Sequence, residues 1–143
     1  MPLNLCSTLK AGLRCRQTSH ADSGESISLD EIQDACNWLS LQLDDASLSR
    51  TELFALAAAL EPIRRQLYRV LKDRRARAGH VRATRLLEDA LRKIDTCLYS
   101  VQPFRPYIWP AALRTKLRSA LQSTTYALVA VRWADAQVTA AAS

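Results

Sequence analysis

Apolar residues recur at steps of three and four along most of this chain, which is the spacing of helices that bury one face. The pattern predicts a first helix beginning at Ser28, because Glu31 follows at the spacing of a capping box. The apolar positions of this helix are Ile32, Cys36, Leu39 and Leu43. Its acidic residues fall largely off that stripe, so one face is predicted to be buried and the other to be negatively charged.

A second and longer helix is predicted from Ser49, with an apolar stripe from Leu53 to Leu71. Pro62 lies within it, where proline removes a backbone donor and clashes with the preceding turn. The sequence therefore predicts either a kink between Ala58 and Pro62 or a break into two helices, the second with Pro62 in its first turn. Gly79 is predicted to end the segment in the left-handed conformation.

Two further helices follow. The third is predicted from about His80 to Ser100, and it ends before Pro103 and Pro106. The fourth begins at Pro110 and is expected to fade near Gln137. Strand-like alternation and internal repeats are absent from the sequence. The predicted fold is therefore all-α, an antiparallel helical bundle of about four helices with a flexible N-terminal arm.

The first 21 residues differ from the rest of the chain, because they contain three basic residues and no acid. The basic residues are Lys10, Arg14 and Arg16, and leucines lie at positions 3, 5, 9 and 13. We predict a flexible or loosely docked arm over 1–27, a single helical-bundle domain over 28–139 and a tail over 140–143. Leu3 to Leu13 also fits one short amphipathic helix or strand. A membrane-surface or secreted effector that uses this arm is a less favoured hypothesis.

Composition supports a small helical domain. The chain has 143 residues, 48% of them hydrophobic, and only 3 glycines, and Leu and Ala dominate the apolar set. The four cysteines, Cys6, Cys15, Cys36 and Cys97, are scattered, so they predict neither a zinc site nor a redox pair. Cys36 and Cys97 fall on apolar stripes and are expected to be buried thiols in a reducing, cytoplasmic compartment. No apolar run is long enough for a membrane span.

Charge is segregated along the chain. Between Pro62 and Arg85 there is one acid, Asp73, and a block of nine basic residues. The nine are Arg64, Arg65, Arg69, Lys72, Arg74, Arg75, Arg77, Arg82 and Arg85. The preceding segment, from Asp22 to Glu61, holds nine acids and one base, Arg50. Such segregation creates a directional field that steers an oppositely charged partner.

The basic block is a candidate partner-binding or nucleic-acid-binding surface. Arg65, Arg69 and Lys72 share the face of the second helix opposite its apolar stripe, and the other basic residues extend the charge on both sides. Phosphates are attracted to such a surface, since each one neutralised releases counterions. The alternative is a solvated helix face, because no base-reading motif accompanies the block.

Aromatic residues provide two further candidates. The Pro-rich connection before the fourth helix is interpreted in two ways. It is either a rigid docking loop with Phe104, Arg105, Tyr107 and Trp109, or a connection in which Phe104, Ile108 and Trp109 form a hydrophobic plug over the end of the bundle. Trp38 and Trp133 lie off the main stripes or near a helix end. If exposed, they mark a contact surface for a second copy or another protein, and if buried they only widen the core.

Residues with catalytic chemistry are few. His20 and His80 are isolated in the sequence, and His80 is interpreted as a helix-start residue. Glu88 and Asp89 are adjacent, so on a helix they point in different directions and make a poor acid–base pair. We therefore predict no enzyme activity, no metal and no cofactor.

The leading hypothesis from the sequence is a small non-enzymatic binding protein, a regulator, inhibitor or accessory factor that contacts another protein through a charge-segregated helical surface. The partner is expected to be a protein, with an acidic one fitting the basic block. The alternative is a DNA- or RNA-binding protein that uses the face from Arg64 to Arg85. A homodimer is a further alternative, and the Arg, Leu and Ala bias indicates a bacterial origin.

Overall fold

The computed structural model describes residues 28–103 and 108–142, and it contains five helices within them. They are α1 (Leu29–Leu43), α2 (Arg50–Ala58), α3 (Leu60–Arg75), α4 (Val81–Ser100) and α5 (Pro110–Ala142). No strand occurs in these two ranges, so the all-α prediction is confirmed. The predicted arm, and Phe104, Arg105 and Tyr107 of the predicted docking loop, lie outside the described residues.

Two of the predicted helix starts are made by local side-chain caps. The Ser28 hydroxyl accepts a hydrogen bond from the backbone N–H of Glu31 at 3.3 Å. Ser49 and Glu52 form a complete capping box, in which each side chain accepts from the other residue's backbone N–H. A cap of this kind contributes about 1 kcal/mol to the stability of a helix.

The long second helix of the prediction is divided in two at Ala59. Of the two alternatives drawn from Pro62, the structure contains the break, since α2 ends at Ala58 and α3 begins at Leu60. Pro62 lies in the first turn of α3, where its missing N–H would have no partner within the helix. Ala59 keeps near-helical angles, φ −68° and ψ −12°, and its N–H donates to the carbonyl oxygen of Ala55, so α2 and α3 are joined by one residue without a loop.

Gly79 and the end of α5 are two further features that the sequence predicts. Gly79 has φ +86°, which confirms its predicted left-handed conformation. It does not end the helix as predicted, because α3 ends at Arg75 and Gly79 lies in the turn before α4. The last helix differs from the prediction, because α5 continues to Ala142 and does not fade near Gln137. Alanine is the strongest helix former, and the last three residues of α5 are all alanines, so the helix is favoured to its end.

Four of the helices form an antiparallel bundle. In order around the bundle, α3 contacts α4, α4 contacts α5, α5 contacts α1, and α1 contacts α3. The short α2 packs against α3, α4 and α5. This order places α3 and α5 diagonally, so their outward faces point to opposite sides of the molecule. Arginines of α5 also cap the end of α1, because Arg114 and Arg118 donate to the carbonyl oxygen of Leu43.

The core is built from the predicted apolar stripes. Its fully buried side chains include Ile32 of α1, Leu67 of α3, Leu87 of α4 and Leu117 of α5. Cys36 and Cys97 are buried free thiols, as predicted from their positions on the stripes. Burial raises the pKa of Cys36 to about 12 and that of Cys97 to about 11, which keeps both thiols protonated and unreactive at neutral pH.

Candidate interaction surfaces

Five of the nine residues of the basic block form ion pairs with carboxylates of this chain. The pairs are Arg64–Asp95, Arg65–Glu61, Arg74 with Asp73 and Asp135, Arg75–Glu88, and Arg77–Asp73. The acids that neutralise the block come mostly from α4 and from within α3. Because they are dispersed along the chain, the local sequence charge overstates the positive charge left on the folded surface.

Two of these pairs bridge α3 and α4 and show how the two helices are aligned. Arg64 near the start of α3 pairs with Asp95 near the end of α4, and Arg75 at the end of α3 meets Glu88 at 3.0 Å. The helices therefore run antiparallel along a shared edge. Each exposed pair of this kind contributes only about 0–1 kcal/mol, so the pairs mainly set the surface charge pattern.

Arg74 does not belong to the exposed basic surface, which corrects the prediction from the sequence. Its side chain is only 14% exposed, and it donates to Asp135 of α5 at 2.8 Å. Asp135 also accepts from Nε2 of His80 at 3.0 Å, and His80 is 1% exposed. Arg74 lies on the core side of α3, so it joins a partly buried polar cluster across the bundle.

The His80–Asp135–Arg74 cluster could not be found from sequence spacing. His80 precedes α4 as predicted, but it is not isolated, since its partner is 55 positions away. The only sequence signal is that Asp135 is an acid in an otherwise uncharged C-terminal segment. Partial burial opposes ionisation of Asp135, but the hydrogen bond from His80 and the charge of Arg74 outweigh it and lower the pKa of the carboxyl.

Four residues of the basic block remain exposed without a carboxylate partner in the described part of the chain. They are Arg69 and Lys72 of α3 and Arg82 and Arg85 of α4. Arg92 of α4 is exposed and unpaired in the same way, and it was missed because it lies beyond the dense sequence block. We call Arg69, Lys72, Arg85 and Arg92, together with half-exposed Tyr68, the basic surface.

The antiparallel alignment places the basic surface along the edge shared by α3 and α4. Tyr68 and Lys72 lie one and two turns after Arg64, on the same side of α3. Arg92 lies between Glu88 and Asp95 on α4, so these residues stand between the two bridging ion pairs. The surface is therefore mixed, with free cations next to paired carboxylates and one aromatic ring.

The second candidate surface is a row on α5 that is apolar except for Gln122 at its beginning, and we call it the α5 seam. Its members repeat at steps of four and three and are all exposed: Gln122, Tyr126, Val129, Trp133, Ala136 and Ala140. This is the spacing of helices that pack in coiled coils. Trp133 is 66% exposed, and Tyr126 and Val129 are each more than half exposed. The sequence allowed an exposed Trp133 but did not identify its neighbours, which a search for a second heptad row on the same helix would have found.

The other aromatic candidates divide between core and surface. Trp38 is partly buried and packs against the core, as does Ile108 from the connection before α5. Trp109 is largely exposed. At the described end of this connection, Ile108 therefore packs against the bundle and Trp109 does not.

Metal binding or acid–base chemistry requires ligating or proton-transferring side chains that lie close together. No group of three or more His, Cys, Asp and Glu residues there could hold a metal ion. Glu88 and Asp89 point in different directions, as predicted, since Glu88 pairs with Arg75 and Asp89 pairs with Lys93. None of the described helices combines the length and the apolar character needed to cross a membrane.

No family model, curated protein or solved structure matches this chain significantly.

Proposed function

We propose that this chain is a small non-enzymatic binding protein, a regulator, inhibitor or accessory factor, that contacts an acidic region of another protein through the basic surface. The observation that carries this proposal is the set of exposed cations without partners on α3 and α4. Such groups attract an acidic partner over a distance, and burying them against its carboxylates satisfies their hydrogen-bonding capacity.

The mixed character of the basic surface favours a protein partner over a nucleic acid. Asp95 and Glu88 lie within this surface and remain about half exposed even though each is paired. A nucleic-acid backbone presents only negative charge and would meet these carboxylates. A protein can place acids on Arg69 or Lys72 and hydrogen-bond donors on the carboxylates, and Tyr68 adds the kind of ring that protein interfaces favour.

The non-enzymatic part of the proposal rests on access. His80 and Asp135 form the one histidine–carboxylate pair in the described part of the chain. His80 is almost fully buried, so a substrate has no path to its ring. The buried free thiols of Cys36 and Cys97 agree with a reducing compartment, and we propose the cytoplasm on that basis.

DNA or RNA binding is the alternative function, and the row of unpaired cations is the observation that favours it. Each phosphate contact made by Arg69, Lys72, Arg85 or Arg92 would add nearly one unit to the slope of log affinity against log salt. An interface with a mixed-charge protein would show a weaker dependence on salt, because its ion pairs act together with apolar contacts.

A matched pair of charge reversals tests the proposed surface. Arg92 and Arg82 are both exposed, unpaired arginines of α4, so R92E and R82E change net charge equally. Arg92 lies between the two bridging ion pairs. Arg82 lies three turns before Lys93, which donates to Ser123 of α5, so Arg82 is on the side of α4 that faces α5 and serves as the control. We expect R92E to weaken capture of the partner from a nuclease-treated lysate at least about tenfold, and R82E to leave it within about twofold.

Two results would contradict the proposal. If nuclease treatment abolishes all binding, the nucleic-acid alternative is correct. If R92E and R82E lower capture equally, only the net charge matters and the basic surface is not the contact site.

A further inference from the structure

The α5 seam is bordered on one side by an acidic row of α1. This row consists of Asp30, Asp34, Asn37 and Leu41, which are exposed and repeat at steps of four and three. Asp30 pairs with Arg132 of α5, and farther along the two helices Asp44 pairs with Arg118 at 3.5 Å. The acidic row and the apolar seam therefore run side by side, with acids beside the Trp133 end.

The chain enters the described fold at this same place. Ser28 caps α1 two residues before Asp30, and the partner of Asp30 is Arg132, which is next to Trp133 in the sequence. Residues 1–27 are therefore attached beside the Trp133 end of the α5 seam.

The composition of the preceding segment complements both rows. Leu5, Leu9 and Leu13 repeat every four residues, and Lys10 and Arg14 follow two of these leucines with the same step of four. The acids of the α1 row, Asp30 and Asp34, are also four residues apart. Apolar residues and cations with this spacing can contact an apolar row and an acidic row at the same time.

We propose that residues 3–16 cover the α5 seam, with the leucines on Tyr126, Val129 and Trp133 and the cations on the acidic row of α1. This contact is intramolecular and uses the face of the bundle opposite the basic surface, so it is independent of the proposed function. It gives the N-terminal segment a defined place in the fold, and it removes a contiguous apolar surface from water.

The length of the chain permits this contact. The seam from Gln122 to Ala140 is about 27 Å long at 1.5 Å per helical residue. Residues 17–27 can extend over about 35 Å, which is enough to place the segment anywhere along it. Because the segment is tethered, its effective concentration at the seam is on the order of millimolar, so a contact that is weak between separate molecules is populated within one chain.

Crosslinking in the full-length protein tests the proposal, because the segment carries its own thiols, Cys6 and Cys15. V129C introduces one exposed thiol in the seam, and the native thiols Cys36 and Cys97 are buried. A short bismaleimide is added, and crosslinked peptides are identified by mass spectrometry. We expect intramolecular crosslinks from Cys6 or Cys15 to residue 129.

The control variant is R69C, which places an exposed thiol on the outward face of α3, on the opposite side of the bundle. A docked segment should give at least about tenfold fewer crosslinks to position 69 than to position 129. Equal yields at the two positions would overturn the proposal, since an undocked tether reaches both. Crosslinks that join two chains through position 129 would also overturn it and would assign the seam to a second copy.

A charge swap in the V129C protein tests the pairing with α1. D30K/D34K places cations opposite Lys10 and Arg14 and should lower the crosslinking yield several-fold. Adding K10E and R14E to that variant should restore the yield, because the attraction is re-formed with opposite signs. Loss without restoration would overturn the assignment of the cations. Circular dichroism checks that each variant keeps its helices, and all of the substituted α1 and α5 positions are exposed.

Discussion

Replacement of Asp135 is expected to destabilise the bundle more than replacement of an exposed, ion-paired acid. The variant D135N keeps the size of the side chain but removes its charge. Arg74 would then lose one of its two carboxylate partners while remaining largely buried, and His80 would face an amide in place of an acceptor that carries full charge. The Nε atom of Arg74 is already buried without a partner, so the site cannot compensate easily.

The size of the effect follows from the burial of each group. Removing one partner of a fully buried pair costs about 3–5 kcal/mol, and a single hydrogen bond to a charged group contributes about 1.5–3 kcal/mol. Asp135 is 33% exposed and Arg74 keeps Asp73, so the lower part of this range applies. We expect D135N to lower the free energy of unfolding by about 2 kcal/mol and the melting temperature by about 4–8 °C.

Urea unfolding at pH 7, followed by circular dichroism, measures this effect. The matched control is D30N, because Asp30 also pairs with an arginine of another helix but is 84% exposed, so its loss should cost under about 1 kcal/mol. If D135N and D30N have the same effect within about 0.5 kcal/mol, the partly buried cluster does not stabilise the fold more than an exposed ion pair does.

The pH dependence gives the same prediction a second check. Because the pKa of Asp135 is lowered in the folded state, its contribution is fully present above the pKa of the unfolded chain and is lost as the pH falls through the folded value. The stability difference between the wild type and D135N should therefore shrink as the pH falls below about 4. A difference that is unchanged at pH 3 would contradict the assignment of the shift to the ionised carboxylate.

Three further predictions concern local features of the fold. S49A removes the capping box of α2 and should cost about 1 kcal/mol in urea unfolding, and an intact free energy would show that α2 does not depend on its cap. G79A should cost about 1 kcal/mol through the positive φ alone, since no atom lies within 4 Å of an added Cβ, and G79N should cost less. Cys36 and Cys97 should react with a thiol reagent orders of magnitude more slowly in the folded protein than in urea, and fast labelling of either would contradict their burial.

The parts of the fold that the sequence predicted correctly depend on local interactions. The starts of α1 and α2 follow from caps three residues long, and the left-handed turn before α4 follows from Gly79 alone. The effect of Pro62 was narrowed to two outcomes, a kink or a break. Choosing between them depends on the tertiary packing around Ala59. The local sequence carries no information about that packing.

The candidate surfaces were predicted less well, because they depend on which helices are neighbours. The sequence identifies where cations are dense, but Arg64 and Arg75 are paired by acids of α4 that lie 31 and 13 positions away. The sequence places Arg74 in the exposed basic block. In the folded protein its side chain points towards α5 and pairs with Asp135. A single sequence gives no indication of these pairings.

In the folded protein the acids of α1 and the unpaired cations of α3 and α4 lie on separate faces of the bundle. The acids of α1 pair with Arg118 and Arg132 of α5, and none of the described ion pairs joins α1 to the basic helix α3, although the two helices are in contact. The acidic row therefore does not mask the cations of α3, which remain open on the opposite side of the bundle. Because the two charged faces point in opposite directions, docking of the N-terminal segment beside α1, as proposed above, would leave the basic surface open to an acidic partner.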